Sequence, residues 1–364
     1  MRLLRQLPWF VITSLFVLQI APPIIVFAQT PPAVTASIVK ITDTSQFSPP
    51  SPDPAGITYL PSSNRLFISD SEVDEMPIFT GKNLFETTLD GILQKTASTF
   101  VFSREPTGVA FDLPTNTFYF SDDDKDQIYS VNPGSDNQIG TPDDTLNSFS
   151  TVPFGATDLE GLAVAENSIF IAGGIDKKVF QTTKTGLFMA SFDVGRFGIL
   201  DFEGIAYHPQ NRHLYILSRT PKMLLETSLT GDLINRFDIS KLGLIAPADL
   251  TFAPSSNKTD DPQVLNIYLV DRRLDNNNNP HENDGKMYEI SLNYSQMPTP
   301  TNPPPSVGGK QGDANGDGLV DGQDYVIWLN NYNTQTTGAD KGDFDANGIV
   351  DGLDYVIWLN HYNR

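Results

Sequence analysis

Asp158-Leu-Glu-Gly-Leu-Ala-Val164 and Asp201-Phe-Glu-Gly-Ile-Ala-Tyr207 are one phrase written twice: an acid, an apolar residue, Glu-Gly and a short apolar strand. Three further stretches keep its outline: Asp53-Pro-Ala-Gly-Ile-Thr-Tyr59, Glu105-Pro-Thr-Gly-Val-Ala-Phe111 and Ala246-Pro-Ala-Asp-Leu-Thr-Phe252. After each comes a turn with Pro or Asn, then a second apolar strand, such as Phe118-Tyr-Phe-Ser-Asp122 or Ile169-Phe-Ile-Ala-Gly173. A third strand follows, for example Val179-Phe-Gln-Thr-Thr183. Asp90-Gly91, Thr185-Gly186 and Thr230-Gly231 then make tight turns into a fourth. Aromatic and β-branched runs separated by Gly turns are hairpin signals.

The marker glycines Gly56, Gly108, Gly161 and Gly204 recur at intervals of 52, 53 and 43 residues. Four short strands in about 45 residues make one blade of a β-propeller. The fold class is therefore mainly β: five blades, or six if a divergent blade hides in the longer intervals. The fifth repeat runs out of chain after its third strand. Ala36-Ser-Ile-Val-Lys-Ile-Thr42 has the length and alternation to supply the missing outer strand and so close the ring. The propeller is assigned to 34–296.

In an up-and-down blade, the start of the first strand and the end of the second lie at the same end. That parity places Asp53, Glu105, Asp158 and Asp201 around one mouth of the central channel, joined by Glu160, Glu203 and Asp249. The loops after the second strands, at 70–75, 122–126 and 271–284, add more acids to that face. Crowded carboxylates need protons, a cation or basic partners. One reading is a calcium-assisted binding or catalytic site, with Glu160, Glu203, Asp158 and Asp201 as its catalytic candidates. The other is that the acids cap turns and accept backbone N–H bonds. Two loops, 136–144 and 275–284, are dense enough in oxygen to be read either way. His208 and His213 fall on the opposite face.

These Asp-Leu-Glu-Gly and Asp-Phe-Glu-Gly strands resemble secreted propellers of the SdiA-regulated and phytase-like esterase group, and more broadly NHL-type propellers. The resemblance implies a calcium-dependent phosphohydrolase for some members, with Asp158, Glu160, Asp201 and Glu203 at the matching positions. No phosphate-binding Lys/Arg cluster accompanies them; only Arg219, Lys222, Arg272 and Arg273 lie on that face.

Composition narrows the chemistry. Asp and Glu number 44 against 24 Lys and Arg, a net charge of −20, which opposes nucleic acid and anionic lipid surfaces. There is no cysteine, so disulfides, thiolate metal sites and Cys nucleophiles are excluded. HExxH, GxSxG, GxxxxGK[ST] and GxGxxG are all absent. Arg2 and Arg5 precede the apolar run 9–20, and Ala28 offers a cleavage point, which reads as a signal peptide over 1–28. The alternative is an uncleaved anchor; after cleavage no stretch is long enough to span a membrane.

Beyond a Pro/Thr/Gly-rich linker at 297–311 lies the densest motif. Asp313-Ala-Asn-Gly-Asp-Gly-Leu-Val-Asp-Gly-Gln-Asp324 sets Asp313, Asn315, Asp317, Asp321 and Asp324 at EF-hand positions, with Leu319 offering its carbonyl and Gly318 at the sharp turn. Asp343, Asp345, Asn347, Ile349, Asp351 and Asp354 repeat the set 30 residues later. Each loop runs into the same helix, Tyr325-Val-Ile-Trp-Leu-Asn-Asn-Tyr332 and Tyr355-Val-Ile-Trp-Leu-Asn-His-Tyr362. The spacing predicts two calcium ions. For Trp328 and Trp358 the choice is between core packing and a docking hot spot.

This duplicated unit, 312–364, resembles a type I dockerin, a small all-α domain that folds on calcium and plugs exported proteins into a cohesin domain. Many dockerins travel with polysaccharide-degrading hydrolases. The partner-reading loop positions are here Gly322-Gln323 and Gly352-Leu353, and the usual helix Lys-Arg is Asn330-Asn331 and Asn360-His361. The expectation is an exported protein, secreted or held at a surface, that docks to a cohesin-like scaffold or another surface protein. It displays a propeller that binds a ligand or hydrolyses a glycan or phosphoester.

Overall fold

The computed structural model describes residues 35–274, 281–293, 310–332, 334–345, 348–350 and 352–362. It holds five four-stranded antiparallel sheets. Strand β1 (Thr35–Asp43) leads in. The first blade is β2 (Pro54–Leu60), β3 (Arg65–Asp70), β4 (Leu84–Thr88) and β5 (Leu93–Ala97). The second is β6 (Val109–Asp112), β7 (Thr117–Asp122), β8 (Gln127–Asn132) and β9 (Thr145–Ser150). The third is β10 (Leu159–Ala165), β11 (Ser168–Gly173), β12 (Lys178–Thr183) and β13 (Phe188–Asp193). The fourth is β14 (Asp201–His208), β15 (His213–Thr220), β16 (Met223–Thr227) and β17 (Leu233–Asp238). The fifth is β18 (Pro247–Pro254), β19 (Leu265–Asp271) and β20 (Lys286–Asn293), completed by β1, which pairs antiparallel with β20. The ring has five blades, not six, and is closed by the N-terminal strand.

Each pair of neighbouring blades shares its own apolar core. The second strand of a blade is covered on both faces by its neighbours, so it reads as an unbroken apolar run: Ile169, Phe170, Ile171 and Ala172 of β11 are fully buried. The outer strands β9 and β13 are mostly exposed, and their residues are correspondingly polar or mixed.

The marker glycines are explained at the hub. A Cβ on Gly56 would lie 2.7 Å from the Val109 nitrogen, on Gly108 2.9 Å from Gly161 Cα, and on Gly161 2.9 Å from Gly204 Cα. On Gly204 it would lie 2.7 Å from Asp249 Cα. Each glycine therefore lets one inner strand lie against the next. The fifth blade carries Asp249 instead, and its Oδ2 accepts the Ile57 N–H at 3.2 Å, linking back to the first blade.

Two helices follow in the C-terminal part, α1 (Gly322–Asn331) and α2 (Gly352–His361), each after an aspartate-rich loop. Val320, Trp328, Val350 and Trp358 are buried between them, so the two tryptophans are core residues. The halves interlock: Gly342 lies against Trp328 Cα and Gly312 against Trp358 Cα. The Trp358 indole N–H donates to the Asp321 carbonyl at 2.8 Å. Among the described residues no helix is long and apolar enough to cross a membrane; the N-terminal stretch read as a signal peptide lies outside them.

Candidate functional site

The inner strands bulge where they approach the axis. In β10 the pairing jumps from Leu159 with Gly173 to Leu162 with Ile171, and in β14 from Phe202 with Ser218 to Ile205 with Ile216. The extra residues are Glu160 with Gly161 and Glu203 with Gly204. A bulge re-aims side chains, and here it turns two glutamates into one electrostatic neighbourhood. Asp158 adopts a left-handed backbone, φ 56°. Its Oδ2 and the Glu160 Oε1 converge over Gly174, where any Cβ would meet them at 2.4 and 3.3 Å. Asp201 opens β14 beside Arg219, whose Nε is 3.8 Å from its Oδ2. The structure thus gathers all four candidates read from the sequence.

Burial shapes their ionisation. Burial first and Glu160's neighbour Glu203 second hold the Glu160 carboxyl well above the usual range, against the pull of Arg272. Burial pushes Glu203 up to about 7, moderated by Arg219 and Arg272. Burial together with Asp123 and Glu72 takes Glu105 up to about 8. Burial also raises Asp158, and Asp201 adds to it.

The positive charge for this mouth comes from the protein. Arg219 Nη2 lies 2.7 Å from Glu203 Oε2. Arg272, from the loop after β19, reaches Asp53 at 3.6 Å and Glu72 at 3.8 Å, and the fields of Asp53, Glu160, Glu203 and Glu72 raise its own pKa. The sequence shows Arg272 only as one of four cations on this face; its reach to the axis depends on a long side chain that parity does not track.

Asp249 departs from its expected place at the mouth. It sits in the hub ring, 1% exposed, with its Oδ1 against the backbone of Gly161 and Gly204. Burial holds this carboxyl well above the usual range. The second-strand acids are also not open ligands. Asp70 accepts from the Ser51 hydroxyl and the Asp53 and Val73 amides; Asp122 accepts from the Ser103 hydroxyl and the Lys125 amide. Asp271 accepts from the amides of Ile245, Ala246 and Arg273. These carboxylates tie each second strand to the chain leading into its own first strand, which is the turn-capping reading.

The 136–144 loop behaves likewise. Asp143 accepts from the Ser135 amide and hydroxyl and from Thr141, and Asp144 from the amides of Gly140 and Thr141. Of the 275–284 loop, 275–280 lies outside the described residues; Asp284 Oδ2 is 3.8 Å from Arg273 Nε. His213 Nδ1 lies 2.7 Å from Glu226 Oε1 at the turn side of the fourth blade, away from the carboxylate mouth.

The C-terminal loops form a second candidate site. Asp313 accepts from Gly316 at 2.7 Å and Gly318 at 2.9 Å. Asp324 accepts from Ala314 and Asn315 through one oxygen and from Asp321 through the other. Asp321 caps α1 in return, completing a capping box. The second loop repeats this register: Asp354 accepts from Phe344 and Asp345, and Asp343 from Gly348. Asp343, Asp345 and Asp354 bring carboxylate oxygens within 4.8 Å of one another, the only such group among the described residues. Asn347 and Asp351 lie outside the described residues. The donor atoms are all oxygen, and Asp313, Asp324, Asp343 and Asp354 are buried, a set whose chemistry suits a hard cation.

No family model matches the chain, and no curated protein matches it. Solved structures resemble its propeller. Myxococcus xanthus glutaminyl cyclase aligns at 11% identity and TM-score 0.46 over 73% of this chain and 100% of its own. Virginiamycin B lyase from Staphylococcus aureus aligns at 10% and 0.41, covering 71% and 100%. A luciferin-regenerating enzyme aligns at 9% and 0.44, covering 71% and 95%. The five-bladed count rests on this chain's own sheets.

Proposed function

We propose that this is an exported modular protein whose dockerin-like C-terminal unit binds two calcium ions, docks to a cohesin-type partner and displays the propeller's acidic face. One observation carries the reading: two aspartate loops aim their first and twelfth carboxylates inward on the same backbone amides. Asp313, Asn315, Asp317, Asp321 and Asp324 with the Leu319 carbonyl would hold one ion. Asp343, Asp345, Asn347, Asp351 and Asp354 with the Ile349 carbonyl would hold the other. Calcium would bring the positive charge that buried carboxylates demand and fix each loop on its helix. Val326, Leu329 and Leu359 are about half exposed on the helices, which suits docking to a partner such as a cohesin-like scaffold or another surface protein.

The test is a calcium titration of chelator-treated full chain followed by tryptophan emission. Trp328 and Trp358 are the only tryptophans beyond Trp9, so emission reports this unit. A saturable blue shift, reversed by chelator, is expected. An emission spectrum indifferent to calcium overturns the reading.

A second reading, an extracellular hydrolase of glycans (O-glycosyl bonds) or phosphoesters, is favoured by the Glu160–Glu203 neighbourhood. Glu160, whose carboxyl is held well above the usual range, can donate a proton to a leaving group while Glu203, raised to about 7 and so partly ionised at neutral pH, accepts one. Asp158 and Asp201 would tune the pair. Arg219 and Arg272 supply cationic charge there, so this chemistry does not require calcium in the propeller. Glu160→Gln and Glu203→Gln should abolish turnover on nitrophenyl glycosides or phosphates while the strand signal in circular dichroism persists. Turnover that survives both changes removes the reading.

A further inference from the structure

The second blade breaks the repeat at one place. Its third and fourth strands are joined by residues 133–144, whereas 89–92, 184–187 and 228–232 make the same connection in the first, third and fourth blades. The long loop is rigidly built. Asp136, Asp143 and Asp144 cap its turns, Asn137 accepts from Asn116 at 3.1 Å, and Gly140 closes against the Ser98 carbonyl. It walls a cavity of about 270 Å³ against the outer edge of the first blade.

The cavity floor is apolar and aromatic: Leu60, Phe67, Phe118 and Ile139, with the two phenyl rings 4.9 Å apart. Lys82 and Lys95 line it as well, and neither makes an ion pair or side-chain hydrogen bond among the described residues. Glu86 is the one acid in the lining, leaving a local excess of positive charge on a chain whose net charge is −20.

We infer that this flank between the first and second blades is a binding site for a small aromatic carboxylate. A ring packs edge or face on the phenylalanines, and its acid group meets the two ammonium groups, which hold an anion as point charges. The volume admits one or two fused rings and little more, below the range of larger ligand pockets. The site is independent of the acidic mouth and of the calcium loops.

The test uses 2-naphthoate as probe and neutral 2-naphthamide as its isostere, with saturation-transfer NMR and calorimetry on the full chain. The naphthoate should bind about tenfold or more tightly than the amide. The pair Lys82→Glu with Lys95→Glu, one half-buried and one exposed, should erase that preference. Gln138→Trp, which fills the cavity from the loop side, should abolish binding of both. Equal binding of acid and amide overturns the ligand class. Binding of neither compound, or binding untouched by Gln138→Trp in a chain with native circular dichroism, overturns the site.

Discussion

Replacing Arg272 with Met keeps the apolar stem of the side chain and removes its charge from between Asp53 at 3.6 Å and Glu72 at 3.8 Å. Breaking a buried pair by deleting one partner costs about 3–5 kcal/mol, because the other charge is stranded. Arg272 keeps 16% side-chain exposure, so the low end, about 3 kcal/mol, applies where the surrounding acids are ionised. The loss must depend on pH. Without the guanidinium, Glu160 and Glu203 hold their protons more tightly in the folded state than in the unfolded chain. The folded variant therefore binds the extra protons, and its stability falls as pH rises. At pH 5 those two carboxyls are protonated, so the deficit should be smaller than at pH 8, and what is left there comes from the stranded Asp53 and Glu72 and the lost packing of the head group. Urea unfolding at pH 5 and pH 8, followed by the strand signal in circular dichroism, reads this out for the propeller. An equal loss at both pH values would mean that Arg272 does not act on the ionisation of Glu160 and Glu203, and this charge account would be wrong.

The unmodified chain should show the same sign. Asp70 at about 6, Glu203 at about 7 and Glu105 at about 8 are all raised by burial, so propeller stability should decline from pH 5 to pH 8 in urea titrations. A flat or rising profile contradicts it, and Glu203→Gln should reduce the slope. Gly204→Ala presses a Cβ onto Asp249 Cα and the Ala248 carbonyl, both backbone, and should cost about 3 kcal/mol, the top of the overpacking range. Gly316→Ala meets nothing within 4 Å and should cost about 1–2 kcal/mol from its φ of +74° alone. Equal thermal midpoints for Gly204→Ala and the unmodified protein would remove the hub argument.

The blades were legible because the hub constrains every repeat alike. Inner strands cannot lie against one another without Gly56, Gly108, Gly161 and Gly204, and second strands buried on both faces must be apolar throughout. The outer strand lent by residues 35–43 was legible from alternation and from the blade it completed. The site was legible only in part. Parity placed Glu160 and Glu203 at the mouth, and the bulges brought them together. Parity also placed Asp249 there, but the fifth blade lacks the hub glycine, so that side chain itself fills the ring. Carboxylates that cap turns, such as Asp70, Asp122 and Asp143, look in sequence like metal ligands, because an amide N–H and a cation select the same oxygen atoms. The cavity beside residues 133–144 left no motif, since its lining comes from separate strands of two blades.

The most direct test of the calcium account is the stoichiometry of the full chain by calorimetry after chelation, with Asp324→Asn and Asp354→Asn alongside. Each change leaves a carbonyl and an amide where the loop presents two carboxylate oxygens to backbone N–H groups and a cation. The account predicts two calcium ions for the unmodified chain, one for each single variant and none for the double. Two ions retained by the double variant, or none bound by the unmodified chain, would contradict it.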